Sequence, residues 1–126
     1  MIPTFALALL LAGPRDDAAF AARVAQAKAL EALASGTAYQ KALWGRIGNP
    51  TTDAYRGCLA SNAPADKSPF TLVADVGADG RLRHIEVRPA TPVATCMAGQ
   101  FGNWTLPRPP AHPAPYPIEI DFSVAH

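Results

Sequence analysis

The sequence predicts an α+β fold: a small three-stranded antiparallel sheet with a packed helix, preceded by an Ala-rich helical N-terminal segment. Three observations carry this. Ile118, Ile120, Phe122 and Val124 alternate with Glu119, Asp121 and Ser123, the period-two pattern of a half-buried strand. Gly77-Ala-Asp-Gly80 sets an Asp-Gly turn between two apolar runs, which reads as a hairpin. In the N-terminal half, Phe20, Val24, Ala27, Leu30 and Leu33 step by three and four, as one face of a helix does.

Composition narrows the function classes. A chain of 126 residues holds one core, and a net charge of +1 offers no basic field for nucleic acid and no acidic one for cations. Alanine crowds the first half, whereas thirteen prolines lie largely in the second, six of them from Pro107 to Pro117. The two halves follow different rules.

Residues 1–13 are uncharged and apolar, the length of a signal-peptide core and short of the roughly 20 residues that span a membrane. They are read as a leader, with cleavage extending as far as residue 21, although no basic residue precedes the apolar run. No Cys follows that run to carry a lipid anchor. Residues 14–48 form the Ala-rich helical segment, expected to pack on the C-terminal module, with Asp16 or Asp17 as its cap. Ser35-Gly36 ends or weakens the first helix, and Tyr39, Leu43 and Ile47 resume the spacing. Asn49 and Pro50 read as the N-cap and first turn of a further helix through Tyr55, Cys58 and Leu59, so the α+β domain is placed at 49–126.

Within that domain Phe70, Leu72, Ala74 and Val76 share one face of a first strand. Leu82, Ile85 and Val87 mark the return strand, and the odd spacing from Leu82 to Ile85 predicts a bulge. Thr91-Pro92 caps and starts a helix whose one face carries Val93, Cys96, Met97 and Phe101, with Trp104 continuing it. Trp44, between Lys41 and Arg46, is open to either packing or contact.

The chemistry-bearing residues are few. Two cysteines in an exported chain read as a disulfide, Cys58 to Cys96, against alternatives of two buried thiols or a redox pair. There is no Cys-x-x-Cys, and His84, His112 and His126 are too scattered to hold a metal. No nucleophile elbow, phosphate loop or His-Glu-x-x-His occurs, and Asp75 and Asp79 are placed to cap a turn rather than move protons. The reading is of a non-enzyme without cofactor, metal or evident small-molecule substrate.

From about Tyr55 to Val124 the chain resembles the C-terminal domain of TonB, and most closely its two-cysteine relatives of the AgmX/PglI C-terminal type. The resemblance rests on Cys58, the strand from Phe70 to Val76, Gly80-Arg-Leu-Arg-His-Ile-Glu-Val87 and Cys96. It continues through Trp104-Thr-Leu-Pro-Arg-Pro109 and Tyr116-Pro-Ile-Glu-Ile-Asp-Phe122. Leu106 stands where the family usually has Phe and keeps an apolar plug.

The resemblance implies a periplasmic or secreted, disulfide-clipped module whose free sheet edge pairs with an extended peptide from a protein partner in the envelope. Glu119, Ile120, Asp121, Phe122, Ser123 and Val124 are the segment nominated for that contact. The chain departs from a TonB energy transducer in lacking a long Pro-rich spacer before the domain, so force transmission is not expected. The function expected is an exported, non-enzymatic binding or scaffold module of the cell envelope. The alternative is an envelope-structural or secretion accessory protein that oligomerises through its N-terminal helices.

Overall fold

The computed structural model describes residues 16–124 in full and the backbone alone for residues 2–15. The leader expected over residues 1–13 lies outside the fully described residues. The elements are α1 (Ile2–Glu31), α2 (Ala34–Ser61), β1 (Phe70–Val76), β2 (Leu82–Arg88), α3 (Pro92–Phe101) and β3 (Tyr116–Phe122). The strands form one antiparallel sheet in the order β2-β1-β3, so β1 is central and the other two are edges. This is the α+β class that the alternation and the Asp-Gly turn predict.

β1 and β3 pair without a break from Phe70–Phe122 to Val76–Tyr116. Between β1 and β2 the register steps: Val73 faces Glu86 but Asp75 faces Arg83, which leaves Ala74 opposite both His84 and Ile85. The bulge therefore lies where the spacing of Leu82 and Ile85 places it. His84 absorbs it with a φ of 51°, in the left-handed region that few residues other than glycine enter. Gly80 closes the hairpin at a φ of 84°, and a Cβ there would collide with the Leu106 carbonyl. The Leu106 N–H donates to the Gly80 carbonyl at 2.8 Å, and Arg81 bridges to Thr105, so the turn is fastened to the segment after α3.

One face of the sheet holds the main core. Phe70, Leu72, Ala74 and Val76 of β1 and Ile118 and Ile120 of β3 meet Tyr39, Leu43, Ile47 and Cys58 of α2 and Val93, Met97 and Phe101 of α3. Burying each large apolar side chain contributes about 1.5–3 kcal/mol, so this cluster dominates stability. Thr91 caps α3 by accepting from the Ala94 N–H at 3.1 Å, with Pro92 in the first turn, as expected. Trp104 lies half-buried against Phe101, ring centroids 4.6 Å apart. Trp44 is 40% exposed and donates to Gln40 rather than entering the core.

α1 packs on the sheet, chiefly against β3. Phe20 and Ala27 are buried, and Arg88 of β2 stacks over the Phe20 ring at 5.3 Å. Arg23 reaches Glu86 of β2 at 2.6 Å and Asp75 of β1 at 3.3 Å, and Lys28 reaches Glu119 of β3. These partners sit one residue out of phase with the core positions, on the opposite face. The sheet is thus covered by α1 on one face and by α2 and α3 on the other.

Two expected helix starts are corrected: Asp16 and Asp17 lie inside α1 rather than capping it, and the other falls in α2. The helix start expected at Asn49-Pro50 does not occur: α2 continues through Pro50, and the boundary drawn at 48/49 falls inside it. Proline removes one helical hydrogen bond at a cost of about 3 kcal/mol. That cost is offset because Tyr39, Leu43 and Ile47 before it and Cys58 after it all enter the same core. The real break comes earlier, at Ala32–Leu33, where α1 stops at Glu31. Gly36 permits the close turn, since a Cβ would run into the Leu30 carbonyl.

Candidate functional site

Cys58 on α2 and Cys96 on α3 form a disulfide, S–S 2.06 Å and Cα–Cα 5.8 Å. The two helices pack side by side over the sheet, which brings their small, inward-turned cysteines into register. A disulfide is consistent with an oxidising, extracytoplasmic environment. Beside it runs a groove of about 530 Å³ between α2 and α3, lined by Pro50, Ala54, Gly57, Gln100 and Trp104. Asp53 is its sole charged side chain, so the groove holds no acid–base pair.

The nominated segment lies on β3 and splits between the two faces. Ile120 is buried in the main core, and Phe122 stacks on Phe70 at 4.7 Å and on Tyr55 at 6.3 Å. Glu119 is buried on the other face, Asp121 is exposed, Ser123 is exposed and Val124 is half-buried. Pro117 decides the direction of the backbone. Proline has no N–H for the ladder, so it occupies a position whose backbone groups point away from β1. Alternation then turns the N–H and C=O groups of Glu119, Asp121 and Ser123 outward, and those of Ile118, Ile120 and Phe122 toward β1.

Charges gather on the α1 side of this strand. The Lys28 ammonium donates to Glu119 at 3.0 Å and to Asp121 at 3.2 Å, and hydrogen bonding to Glu119 raises the lysine above its ordinary range. Asp121 also accepts from the Thr71 hydroxyl at 2.7 Å, and this bond holds its carboxyl below the usual range. Burial, followed by the neighbouring Glu119 carboxyl, pushes Glu31 up to about 8, so it holds a proton at neutral pH. As a carboxylate it would leave Oε2 buried without a partner; as an acid it can donate to Glu119.

Both turn-proximal aspartates are expected to cap the turn, and the structure separates them. Asp79 does cap it, accepting from the Arg81 N–H at 3.0 Å. Asp75 instead joins Arg23 of α1 to the His84 ring, whose Nδ1 lies 3.1 Å from Oδ2. Arg23, Lys28 and Glu31 are not legible in the sequence as partners of the sheet, because nothing in a helical spacing says which strand the helix will cross. Among the described residues no cluster of three or more His, Cys, Asp or Glu could hold a metal, and no helix is long and apolar enough to cross a membrane. No family model, curated protein or solved structure matches this chain.

Proposed function

We propose that this chain is an exported, non-enzymatic binding module of the cell envelope with a TonB C-terminal-like fold, which accepts an extended partner peptide as a fourth strand along β3. The observation that carries the reading is the character of that edge. β3 is unbulged over its whole length, whereas the other edge, β2, is interrupted at His84 and Ile85, a device that discourages strand pairing. Pro117 limits the open part of β3 to its second half, where Glu119, Asp121 and Ser123 direct main-chain groups outward. The disulfide supports a periplasmic or secreted setting. The alternative, oligomerisation through the N-terminal helices, needs an apolar helix face left over. From residue 16 onward α1 turns Phe20 and Ala27 onto the sheet, and Leu33 and Trp44 are the large apolar side chains left exposed among the described residues, too few to form a continuous face, which favours the first reading.

The test is photo-crosslinking in intact cells from benzoylphenylalanine placed at Ser123, with and without Asp121→Pro. That substitution removes an outward N–H while leaving the main-chain ladder to β1 intact, and Asp121→Ala, which keeps the N–H but loses the same side-chain bonds to Lys28 and Thr71, is the control that should still crosslink. The expected result is a crosslink to an envelope protein that Asp121→Pro abolishes, from a protein whose thiols are blocked until reduction. A crosslink indifferent to Asp121→Pro, no crosslink at all, or a cytoplasmic protein with free thiols would each defeat the reading.

A further inference from the structure

A second surface lies at the opposite, turn end of the sheet, away from the second half of β3. Two adjoining clefts, of about 180 and 300 Å³, share Ala78 of the hairpin turn and Ala114 of the Pro-rich segment. One is walled by Arg108 and by Pro109, Pro110 and Pro113, with Tyr116 beneath. Arg83 and His84 wall the other, with Asp75 at its base.

Three features favour a ligand at these clefts. Their walls are joined: Gly80 abuts Leu106, the Leu106 N–H bonds the Gly80 carbonyl, and Arg81 bridges Thr105, so turn and Pro-rich segment cannot easily separate. Prolines stiffen the second wall, which lowers the ordering cost of binding. His84 is held in a left-handed backbone conformation, a strain that tends to persist at functional positions. Its Nδ1 is engaged by Asp75 and its side chain is 78% exposed, which leaves Nε2 for a ligand.

The charges define the ligand. Arg23, Lys28 and Arg88 make ion pairs, whereas among the described residues the two arginines that line the clefts, Arg83 and Arg108, make none, as is also true of Arg46 and Arg56 on α2. Asp75 is already occupied by Arg23 and His84, and Asp79 beside the turn offsets Arg83 in part, which leaves the two cleft arginines short of counter-charge. A chain of net charge +1 has no broad basic field, so a polyanion such as nucleic acid is poorly matched. The apolar cleft walled by proline and tyrosine suits a side chain, and the flanking arginines suit carboxylates. We infer that the turn-end clefts dock an acidic peptide segment, with carboxylates on Arg83 and Arg108 and an apolar side chain among the prolines.

The experiment is a titration of the isotopically labelled, oxidised full chain with a synthetic peptide of alternating glutamate and leucine, followed by amide chemical shifts. Shifts confined to Gly77, Ala78, Arg83 and Ala114, with affinity falling about tenfold or more in Arg83→Glu/Arg108→Glu, are the expected result. Arg46→Glu/Arg56→Glu, which alters exposed arginines on α2, should leave the affinity unchanged. No shifts at millimolar peptide, shifts elsewhere, or equal loss in both double variants would overturn the proposal. So would a 12-mer single-stranded DNA or a heparin oligosaccharide binding these clefts when the peptide does not. Each variant is checked for an unchanged amide spectrum outside the clefts, so that misfolding is not read as lost binding.

Discussion

Lys28 on α1 places its ammonium 3.0 Å from the carboxylate of Glu119 on β3, a buried glutamate in the middle of an edge strand. This pair fixes α1 across the polar face of the sheet at the same strand nominated for partner binding. A buried carboxylate without a counter-charge is costly, so breaking the pair costs more than its own attraction implies.

Lys28→Ala should lower stability by about 1–2 kcal/mol, because Glu119 loses its charged donor while remaining buried. Adding Glu119→Gln to Lys28→Ala should recover part of that loss. Urea unfolding of the two variants checks both; an unchanged midpoint in Lys28→Ala would show that α1 is held by packing alone.

Glu31 gives the fold a pH dependence of definite sign. Its carboxyl is raised to about 8 in the folded chain from an ordinary value of 4.5. Between those values the folded state binds more protons than the unfolded one, so this contribution is complete below about 4.5 and lost as pH rises through about 8. Asp121 acts in the opposite sense: its lowered carboxyl stabilises the fold above the ordinary aspartate range, and the benefit is lost on further acidification. Glu31→Gln should therefore raise stability at pH 8.5 by about 1 kcal/mol, allowing for solvent screening, and change little at pH 4.5. Equal effects at the two pH values would show that Glu31 titrates normally.

Removing the disulfide should be severe. Cys58 and Cys96 are 38 residues apart, and closing a loop of that size stabilises by roughly 3–4 kcal/mol on the chain-entropy model. Cys58→Ala/Cys96→Ala should show a correspondingly lower urea midpoint, and a loss below about 1 kcal/mol would mean that the helices hold their places without the bridge.

Pro50 sits inside α2 with its side chain exposed. Pro50→Ala restores an N–H to the helix and should stabilise by about 1–3 kcal/mol. A destabilised variant in thermal unfolding would mean that proline at this position is needed to seat both halves of α2.

The strands are legible in the sequence because their side chains alternate between a dry face and a polar one. The period of Ile118, Ile120 and Phe122 and the Asp-Gly turn place β3 and the hairpin, and even the misfit between Leu82 and Ile85 locates the bulge. The α3 cap at Thr91 is legible for a local reason, since a side chain bonds the backbone three residues on. Pro50 misleads because its cost is local whereas the core contacts that outweigh it, Leu43 and Cys58 among them, are distant in sequence.

The nominated β3 segment shows the same division. Its alternation is plain, but its environment is not, because the side that would face solvent in an isolated sheet is here covered by α1 through Lys28 and Arg23. Preferences between near neighbours in the chain suffice for the hairpin, the capped helix, the closing strand and two cysteines available to pair. Long-range packing alone settles that α1 crosses the polar face, that Glu31 and Glu119 meet, and that Arg83 and Arg108 line adjoining clefts. Those facts depend on chain segments tens of residues apart, whose meeting is set by the packing of the whole core rather than by any local preference.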